Sequence, residues 1–515
     1  MTPSKLDNPI DTKEIKEAIT KLNLNKATGP DQIQAELLKA TQDTVAPQLA
    51  EIFNNCFEKE VDVDLNINLG NLLLIQKPGK PKGPIANLRP IVLLSTFRKI
   101  LSLVTLGRIR NKIENYLSAS QAGFRPNRST TDIVFAHKIL IARIKKYQES
   151  FTILGIDLSS AFDTIHRDKL LDILKDIVDR DELTLIRFLL ANTKLNLTCG
   201  NKSTELTTII GTPQGDSLSP ILFVVYLEAA LRELRPKLPT STRFEPSELI
   251  YADDCDLIFD TPIEAKQSVP IIVETLGNWN LKVNASKTEF TTINRNTLEW
   301  QKTRKLGSLL DDQEDLKRRK QLATVAFKNL QAVWVRKNRI IKEDKILSLY
   351  NSLVLPILTY NCSTWSLTKQ QTLHLDSFHR KQLRRLLGIY WPNTISNQDL
   401  YTKCNCRPIS ESLPKKRSQL LGHILRRPQN IPAKQALYKY FDKNNSQKYR
   451  GRPPTTIVNT INEDLSSATS TIYPYSEHSY CKNNKLSLNN SEDLEKVKDA
   501  ATDRESWRKM VKRMS

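Results

Sequence analysis

Two adjacent aspartates, Asp253 and Asp254, stand inside an otherwise apolar run of this sequence. Residues 249–252 and 257–259 on either side are typical of β-strands, which predicts a hairpin with both carboxylates at its turn. Neighbouring carboxylates with little water around them repel each other unless a cation neutralises them. A hard divalent cation, Mg²⁺ above all, suits their oxygen atoms. Alone, however, a pair of aspartates is equally typical of a solvated turn.

A third carboxylate stands in a similar setting. Residues 151–156 form an apolar strand pattern, and Asp157 follows directly after it. One acid at the end of one strand and two on a neighbouring hairpin would form a three-carboxylate cluster. Such a cluster can hold two metal ions about 3.5–4 Å apart, the arrangement used for in-line displacement at phosphorus.

Six short blocks follow one another over residues 71–297. In chain order they are Asn-Leu-Arg-Pro-Ile at 87–91, Gln-Ala-Gly-Phe-Arg at 121–125, Gly-Ile-Asp through Ala-Phe-Asp at 155–163, Gly-Thr-Pro-Gln-Gly at 211–215, Tyr-Ala-Asp-Asp at 251–254 and Asn-Ala-Ser-Lys-Thr at 284–288. With these blocks in this order, the segment resembles the polymerase domain of reverse transcriptases, most of all those of non-LTR (LINE-type) retrotransposons. The resemblance implies an α+β fold of the right-hand polymerase type, with fingers, palm and thumb and an antiparallel palm sheet. A mostly helical, basic C-terminal region is expected to follow.

The resemblance also implies which side chains take part in catalysis. Asp157, Asp253 and Asp254 would bind two Mg²⁺ ions, for which Mn²⁺ can substitute. Lys287 would protonate the leaving pyrophosphate, a role that suits a flexible ammonium group near developing negative charge. A surface lysine is the alternative for this residue. Asp163 belongs to the same block as Asp157 but is more often structural in the family.

Four further residues would bind the incoming deoxynucleoside triphosphate. Phe162 stands where the family places an aromatic ring under the sugar, and its alternative is a core phenylalanine. Arg89 would bind phosphate oxygens through its guanidinium fork. Lys77 is equally well an exposed lysine beside a turn. Gln214 lies in a Gly- and Pro-containing turn that lets backbone approach a ligand closely, although an ordinary loop would have the same composition.

The charge is distributed unevenly along the 515 residues. The formal net charge is +21, and residues 301–515 contain 40 Lys and Arg against 19 Asp and Glu, so this part carries the whole excess. Clustered cations of this kind favour nucleic-acid binding, because they release counterions from phosphates. A solvated, basic helical surface is the alternative.

Other features of the composition bear on where the protein works. No run of about 18 apolar residues and no signal peptide is evident, which predicts a soluble intracellular protein without a membrane partner. The resemblance to retrotransposon enzymes implies that it works in the nucleus and/or in a cytoplasmic ribonucleoprotein. Seven cysteines, an odd number, fit a reducing compartment rather than a disulfide framework.

Four consecutive segments are predicted. They are a helical N-terminal extension over 1–70, fingers and palm over 71–297, a helical thumb or connection over 298–400, and a basic, partly disordered nucleic-acid-binding region over 401–515. Apolar spacing predicts helices over 98–117, 132–148, 218–235 and about 492–513. Polar stretches at 441–449 and 465–491 predict loops.

Blocks beyond residue 380 resemble segments that follow the polymerase in LINE-type proteins. They lie at 384–389, 421–427, 451–454 and 503–507, and the resemblance implies that they grip element RNA or target DNA. Cys404 and Cys406 are one residue too close for the usual zinc spacing, and His423, His478 and Cys481 are remote in sequence. Zinc is therefore not expected, and buried cysteines are the better interpretation.

The sequence thus predicts an RNA-directed DNA polymerase that copies retrotransposon RNA by two-metal nucleotidyl transfer, primed at a nicked DNA target. Template RNA, a DNA primer or target and deoxynucleoside triphosphates are the expected partners. One alternative is a decayed or domesticated copy that only binds nucleic acid, and another is a reverse transcriptase of intron or bacterial type. No endonuclease is recognised in these residues, so cutting of the target is not assigned to them.

Overall fold

The computed structural model describes residues 5–58, 67–191, 193–239, 241, 243–335, 342–442, 455–472 and 486–514. Twenty α-helices occur in this part of the chain. In chain order, α1 to α20 are Thr12–Lys21, Ala35–Ala40, Gln42–Glu58, Thr96–Tyr116, Thr130–Tyr147, Arg167–Lys175, Arg180–Leu190, Ser219–Leu234, Pro262–Asn278, Asp312–Asn329, Gln331–Val335, Glu343–Leu353, Leu355–Leu358, Lys369–Leu387, Asn397–Lys403, Ile409–Leu425, Pro432–Phe441, Ile457–Ile472, Ser491–Thr502 and Arg504–Lys512.

Twelve β-strands are described within the same ranges. In chain order, β1 to β12 are Leu69–Gln76, Leu88–Leu94, Phe151–Ile156, Leu158–Ser159, Thr193–Cys199, Lys202–Thr208, Glu248–Tyr251, Asp254–Phe259, Lys282–Val283, Glu289–Ile293, Arg304–Lys305 and Ser308–Leu309. The mixture of helices and antiparallel sheets agrees with the predicted α+β class. The helices predicted over 98–117, 132–148 and 218–235 correspond to α4, α5 and α8.

The chain divides into two compact units, each assembled from separate stretches. One unit contains Met1–Pro126, Ile156–Pro239 and Gln267–Thr288, and the other contains Asn127–Gly155, Thr240–Lys266 and Glu289–Ser515. The four consecutive segments expected from the sequence stay a prediction.

The first unit contains a four-stranded sheet in the order β2-β1-β5-β6. β1 pairs with β2 antiparallel and with β5 parallel, while β5 and β6 are antiparallel. Val92, Leu94 and Leu195 are buried together with the partly buried Leu72. The short strands β4 and β9 form a separate antiparallel pair, and β4 directly follows β3 in the sequence.

The first turn of helix α4 in this unit contains a buried arginine, Arg98. Arg98 donates to Asp216 at 3.0 Å, to the Asn68 side chain at 2.6 Å and to the carbonyl oxygen of Leu189 at 2.6 Å. Because a buried charge is stable only when it is paired and hydrogen-bonded, these contacts fix the start of α4 against the rest of the unit.

The second unit contains a sheet in the order β10-β3-β8-β7. The pairs β10–β3 and β7–β8 are antiparallel. Helix α5 packs against β7, α17 and α18, and residues 132–144 of this helix are all buried. The helix therefore lies inside the unit, and its buried charged groups are paired there, as Lys138 is with Asp312 at 2.6 Å.

The remaining helices of the second unit surround a core of large side chains. Trp365 and Tyr350 are fully buried there, with Leu375, Leu383 and Leu386 of α14. Asp315 of α10 accepts a hydrogen bond from the indole nitrogen of Trp365 at 2.9 Å, which satisfies the polar group of this buried ring.

Two predicted elements near the C-terminus differ from the structure. The loop expected from residue 465 is helical as far as Ile472, since α18 continues through it. The single helix expected over about 492–513 is two helices, because the side chain of Asp503 accepts hydrogen bonds from the backbone of Glu505 and Ser506 and caps a new helix. Most of the loop expected over 441–449, and residues 473–485, lie outside the described residues.

Candidate active site

The hairpin predicted around Asp253 and Asp254 is present in the second unit. β7 ends at Tyr251, β8 begins at Asp254, and these two residues face each other across the pair. Ala252 lies in the two-residue connection with a φ of 57°. Two-residue hairpin turns require positive φ, which costs a non-glycine residue about 1–2 kcal/mol. Strain of this kind is concentrated at functional sites, and here it adjoins the acidic pair.

A buried group of charges supports β8. Asp256 lies 2.6 Å from Lys305 Nζ and 3.1 Å from His137 Nε2. Burial acts to raise the pKa of Asp256, but the positive charge of Lys305 and the contact with His137 outweigh it, so that the pKa is lowered. The carboxylate is therefore ionised at neutral pH and holds β8 to its neighbours.

Gly155 of β3 explains how this group fits into the sheet. A Cβ atom at this position would lie 2.5 Å from Lys305 Nζ and 3.0 Å from Asp256 Oδ1. The Gly155-Ile156-Asp157 block thus requires glycine because a buried ion pair occupies the space that a side chain would take.

Asp157 and Lys287 form an ion pair in the first unit. Lys287 Nζ lies 2.9 Å from Asp157 Oδ2. The backbone also joins the two blocks, since Asn284 donates to the carbonyl oxygen of Asp157 at 2.8 Å. The structure therefore brings the predicted proton donor to one of the predicted metal ligands.

The three-carboxylate cluster stays a prediction. Asp157 belongs to the first unit, and Asp253 and Asp254 belong to the second. Among the residues that the structure describes, no group of three or more His, Cys, Asp and Glu side chains could hold a metal ion.

The Gly211–Gly215 turn is held against two other segments of the first unit. The backbone of Gly211 donates to Ile165 at 2.8 Å, that of Thr212 donates to Phe162 at 2.9 Å, and Val92 donates to the carbonyl oxygen of Gln214 at 2.7 Å. Gly215 has a φ of 132°, and a Cβ atom there would lie 2.3 Å from the carbonyl oxygen of Val92. The turn is thus a fixed structure rather than an ordinary mobile loop.

Gln214 also contacts the Ala-Phe-Asp block through its side chain. Its amide nitrogen lies 3.3 Å from Asp163 Oδ1. Burial of the carboxyl group raises the pKa of Asp163, although the contact with Gln214 and the charge of Lys77 act in the opposite direction. The positive charge of Lys77 thus acts on Asp163, while the nucleotide-binding role of Lys77 stays a prediction.

Phe162 packs between two other aromatic rings. Its ring centroid lies 4.9 Å from that of Phe223 on α8 and 6.4 Å from that of Phe124. Phe162 as a whole is half-buried. The core and the nucleotide-binding interpretations of this residue are thus compatible.

A cavity of about 390 Å³ lies beside the turn, with Pro90, Val92, Asp163, Arg167 and Gln214 among its lining residues. Arg89 is adjacent in the chain to this lining, on β2 opposite Ile75, and it is exposed. A cavity with apolar walls and a few polar groups is typical of small-molecule sites.

Arg167 is an important residue that the sequence did not indicate. It is buried and donates to the carbonyl oxygens of Gly211, Leu190 and Thr208 at 2.9, 2.6 and 2.7 Å. Burial, with a smaller effect of Arg98, lowers its pKa to about 10, so the guanidinium stays charged at neutral pH. No sequence signal could have found it, because it opens α6 outside every block and its partners come from distant parts of the chain.

Cys404 and Cys406, the two candidate zinc ligands, are grouped with a histidine other than His423. Cys406 contacts Cys404 and His379, and these contacts lower the pKa of Cys406. His423 instead lies 3.7 Å from Asp132. His478 and Cys481 are outside the described residues, as is the block at 451–454.

No helix in the described ranges is both long and apolar enough to cross a bilayer.

Comparison with known proteins identifies the family. Residues 75–329 match the reverse transcriptase (RNA-dependent DNA polymerase) family. This stretch contains every residue to which the sequence assigns a role in catalysis or nucleotide binding.

Several curated relatives come from mobile elements of Drosophila. The probable RNA-directed DNA polymerase from transposon BS of Drosophila melanogaster is 28% identical over 54% of this chain and 32% of its own length. The RNA-directed DNA polymerase from mobile element jockey of Drosophila funebris is 23% identical over 75% of this chain and 44% of its own length. The chain thus spans about a third to a half of the length of the curated relatives that it matches.

Solved structures give a weaker likeness. Telomerase from Candida albicans, in complex with a fragment of telomeric RNA, has a TM-score of 0.39 and 12% identity over 82% of this chain and 66% of that one. A likeness of this size adds nothing to the family match. On the match of residues 75–329, the chain belongs to the reverse transcriptase family, and its relatives are proteins of LINE-like, non-LTR retrotransposons.

Proposed function

We propose that this chain is an RNA-directed DNA polymerase that copies retrotransposon RNA into DNA. The observation that carries the proposal is the family match over residues 75–329, within which the acidic blocks stand in the family's order. The proposed architecture is a right hand, with fingers and palm over 71–297, a helical thumb after them and a basic C-terminal region that binds nucleic acid.

Asp157, Asp253 and Asp254 are the proposed ligands of two Mg²⁺ ions. The support is the chemistry of the donors, since carboxylate oxygens are hard ligands, together with chain topology. Asp157 follows directly after β3, and β3 is the neighbour in the sheet of β8, whose first residue is Asp254. When bound, the ions lower the pKa of the primer 3′-hydroxyl and neutralise charge on the leaving pyrophosphate.

The other site residues position the nucleotide and move a proton. Lys287, held at Asp157, donates a proton to the pyrophosphate as it leaves. Arg89 and Lys77 bind the triphosphate, while Phe162 lies under the sugar and excludes a 2′-hydroxyl. Gln214, fixed through Val92 and Asp163, orients the incoming nucleotide on its template.

The proposed substrate is the RNA of the element, with a nicked DNA end as primer. Template and primer lie in the cleft through backbone and shape contacts, because a polymerase must accept every sequence. The protein then works in the nucleus, or in a cytoplasmic ribonucleoprotein that reaches it. The retention of all three aspartates favours this function over a decayed copy that only binds nucleic acid.

Primer extension tests the proposal directly. The full chain is incubated with an RNA template, a DNA primer, Mg²⁺ and the four deoxynucleotides, beside the double variant Asp253→Asn, Asp254→Asn. We expect extension by the parent alone, with RNA binding equal in both proteins. Extension by the double variant would overturn the metal assignment. Absence of extension by either, with RNA binding retained, would overturn the polymerase function in favour of a decayed copy.

A further inference from the structure

Two large aromatic side chains are exposed to solvent immediately after α14. Trp391 is 87% exposed and Tyr390 is 61% exposed. An indole or phenol ring carries a large apolar surface that folding normally covers, and tryptophan is highly buried on average. Two such rings side by side in solvent indicate a surface that binds another molecule.

The loop that carries these rings, residues 389–394, is fixed at both ends. At its start, Gly388 has a φ of 70° and caps α14 through hydrogen bonds to Arg384 and Arg385. At its end, Ile395 packs against the core of the unit. Arg384 of α14 also holds the end of the loop to the helix. Its Nη2 donates to the carbonyl oxygen of Ile395 at 3.2 Å and to the side-chain oxygen of Asn397 at 2.7 Å. The rings therefore start from an ordered position, which reduces the entropy lost on binding.

The helix before the loop is strongly basic. Its C-terminal half contains Arg380, Lys381, Arg384 and Arg385, and Lys381 and Arg385 are exposed. The one acidic residue of α14 is Asp376, which is buried and accepts hydrogen bonds from Ser410. The exposed charged side chains of α14 are thus all positive.

We propose that this aromatic loop and the last turns of α14 bind single-stranded nucleic acid, an inference that rests on the nucleic-acid binding proposed for this chain. Tyr390 and Trp391 stack on unpaired bases, and Lys381 and Arg385 contact the neighbouring phosphates. Aromatic rings beside cations are the combination that single-strand binding proteins use, because every base has a π-face and every nucleotide a phosphate.

The rings also discriminate between single strands and duplexes. In a duplex the bases are stacked on each other, so a ring on the protein surface cannot reach a base face without disrupting the helix. The cations meet phosphates in both forms. Removal of a ring should therefore weaken binding to a single strand and leave binding to a duplex unchanged.

The test uses the full chain and a fluorescently labelled 20-nucleotide strand, as RNA, as DNA and as the corresponding duplex, with binding followed by anisotropy. The variants are Trp391→Ala, Tyr390→Ala and the double Lys381→Ala, Arg385→Ala. Leu373→Ala is the matched control, because this residue is also exposed on α14 and lies 15 residues before Gly388, about 22 Å along the helix. Thermal unfolding of each variant confirms that the fold is retained.

We expect each ring deletion to weaken single-strand binding about tenfold, with duplex binding and the salt slope unchanged. The charge variant should instead lower the salt slope for every ligand. A larger effect on RNA than on DNA, or the reverse, identifies which strand the loop holds. Unchanged single-strand binding by both ring variants, or an equal loss on single strand and duplex, would overturn the proposal.

The polymerase function is measured separately in the same preparations. The Asp253→Asn, Asp254→Asn variant should keep the single-strand affinity of the parent and its dependence on Trp391. If the parent shows no primer extension but the ring variants still lose single-strand affinity, the polymerase function fails and the stacking surface stands. If extension is normal and ring deletion changes no affinity, only the stacking surface fails.

Discussion

Lys287 is paired with one of the predicted metal ligands. Its ammonium group lies 2.9 Å from Asp157 in an ion pair that is partly exposed. Surface ion pairs contribute only about 0–1 kcal/mol to stability, so the pair has little value as a structural element. The proposed role of Lys287, which lies within the block at 284–288, is therefore in the reaction rather than in stability.

Replacement of Lys287 should therefore slow catalysis without unfolding the protein. General acid catalysis contributes a factor of about 10²–10⁴, and we expect Lys287→Ala to lower the rate of single-nucleotide addition by about 10². Lys287→Arg should restore the charge next to Asp157 but not the rate, since a guanidinium gives up a proton much less readily. Rapid-quench incorporation assays as a function of pH measure this. Full recovery of rate in the arginine variant would show that only the positive charge matters.

In strand β3, the packing of a buried ion pair explains why the Gly-Ile-Asp block has a glycine at position 155. Gly155→Ala would push a Cβ atom against Lys305 and Asp256, both of which are buried and cannot move into solvent. We expect a loss of about 2–3 kcal/mol in the free energy of unfolding, as for other overpacked or disrupted buried sites. Denaturant titration of the variant measures this value.

Gly277 of α9 supplies the matched control for that substitution. A Cβ atom there would meet no other atom within 4 Å. Gly277→Ala should leave the protein as stable as the parent or slightly more so, because alanine favours the helix by up to about 1 kcal/mol. Equal behaviour of the two alanine variants would contradict the explanation given for Gly155.

Local patterns were sufficient to predict the elements but not the contacts between them. The hairpin at Asp253 and the strand before Asp157 follow from runs of strand-forming residues that end in acids, which are local signals. The buried positions of Arg98 and Arg167 could not be predicted, because their partners lie far away in the sequence. The split at Asp503 differs from the prediction for another reason, because apolar periodicity continues through this capping aspartate and does not mark the start of a new helix.

Helix α10 provides a pH-dependent element. Its first residue, Asp312, lies 2.6 Å from Lys138 Nζ and accepts a hydrogen bond from the backbone of Ser366 at 3.0 Å. Burial acts to raise the pKa of Asp312, but Lys138 and Ser366 outweigh it and the pKa is lowered. A carboxyl group whose pKa is lower in the folded state contributes stability above its unfolded pKa, and this stability is lost as the pH falls through the folded value.

Asp312→Asn should accordingly lower the free energy of unfolding at pH 7 and have little effect on it at acidic pH. We expect a loss of about 3 kcal/mol at pH 7, because Lys138 would remain buried without its partner. Below a pH of about 4 the carboxyl group of the unfolded parent binds a proton, and the difference between the two proteins should shrink as the pH falls further toward the lower folded pKa. Denaturant titrations from pH 7 to pH 3 measure both values, and a difference that stays constant with pH would contradict this explanation.

At the scale of the whole molecule, the distribution of charge is the main feature. Residues 1–300 have no formal net charge, whereas residues 301–515 carry the full excess of +21. If the second part provides the contacts to phosphate, the affinity for RNA should fall steeply with salt. A protein that makes 6–10 phosphate contacts loses about 10³–10⁵ in affinity between 50 and 200 mM salt.

Two matched sets of exposed lysines, each replaced by glutamine in the full chain, separate this effect from total charge. The downstream set is Lys328, Lys345, Lys369 and Lys512, and the upstream set is Lys13, Lys21, Lys202 and Lys266. Both sets lower the net charge by the same amount. We expect the downstream set to weaken RNA binding and to flatten the plot of log affinity against log salt, with the upstream set close to the parent. Equal slopes for the two sets would show that RNA responds to the charge of the molecule as a whole, and that the basic half is a solvated surface.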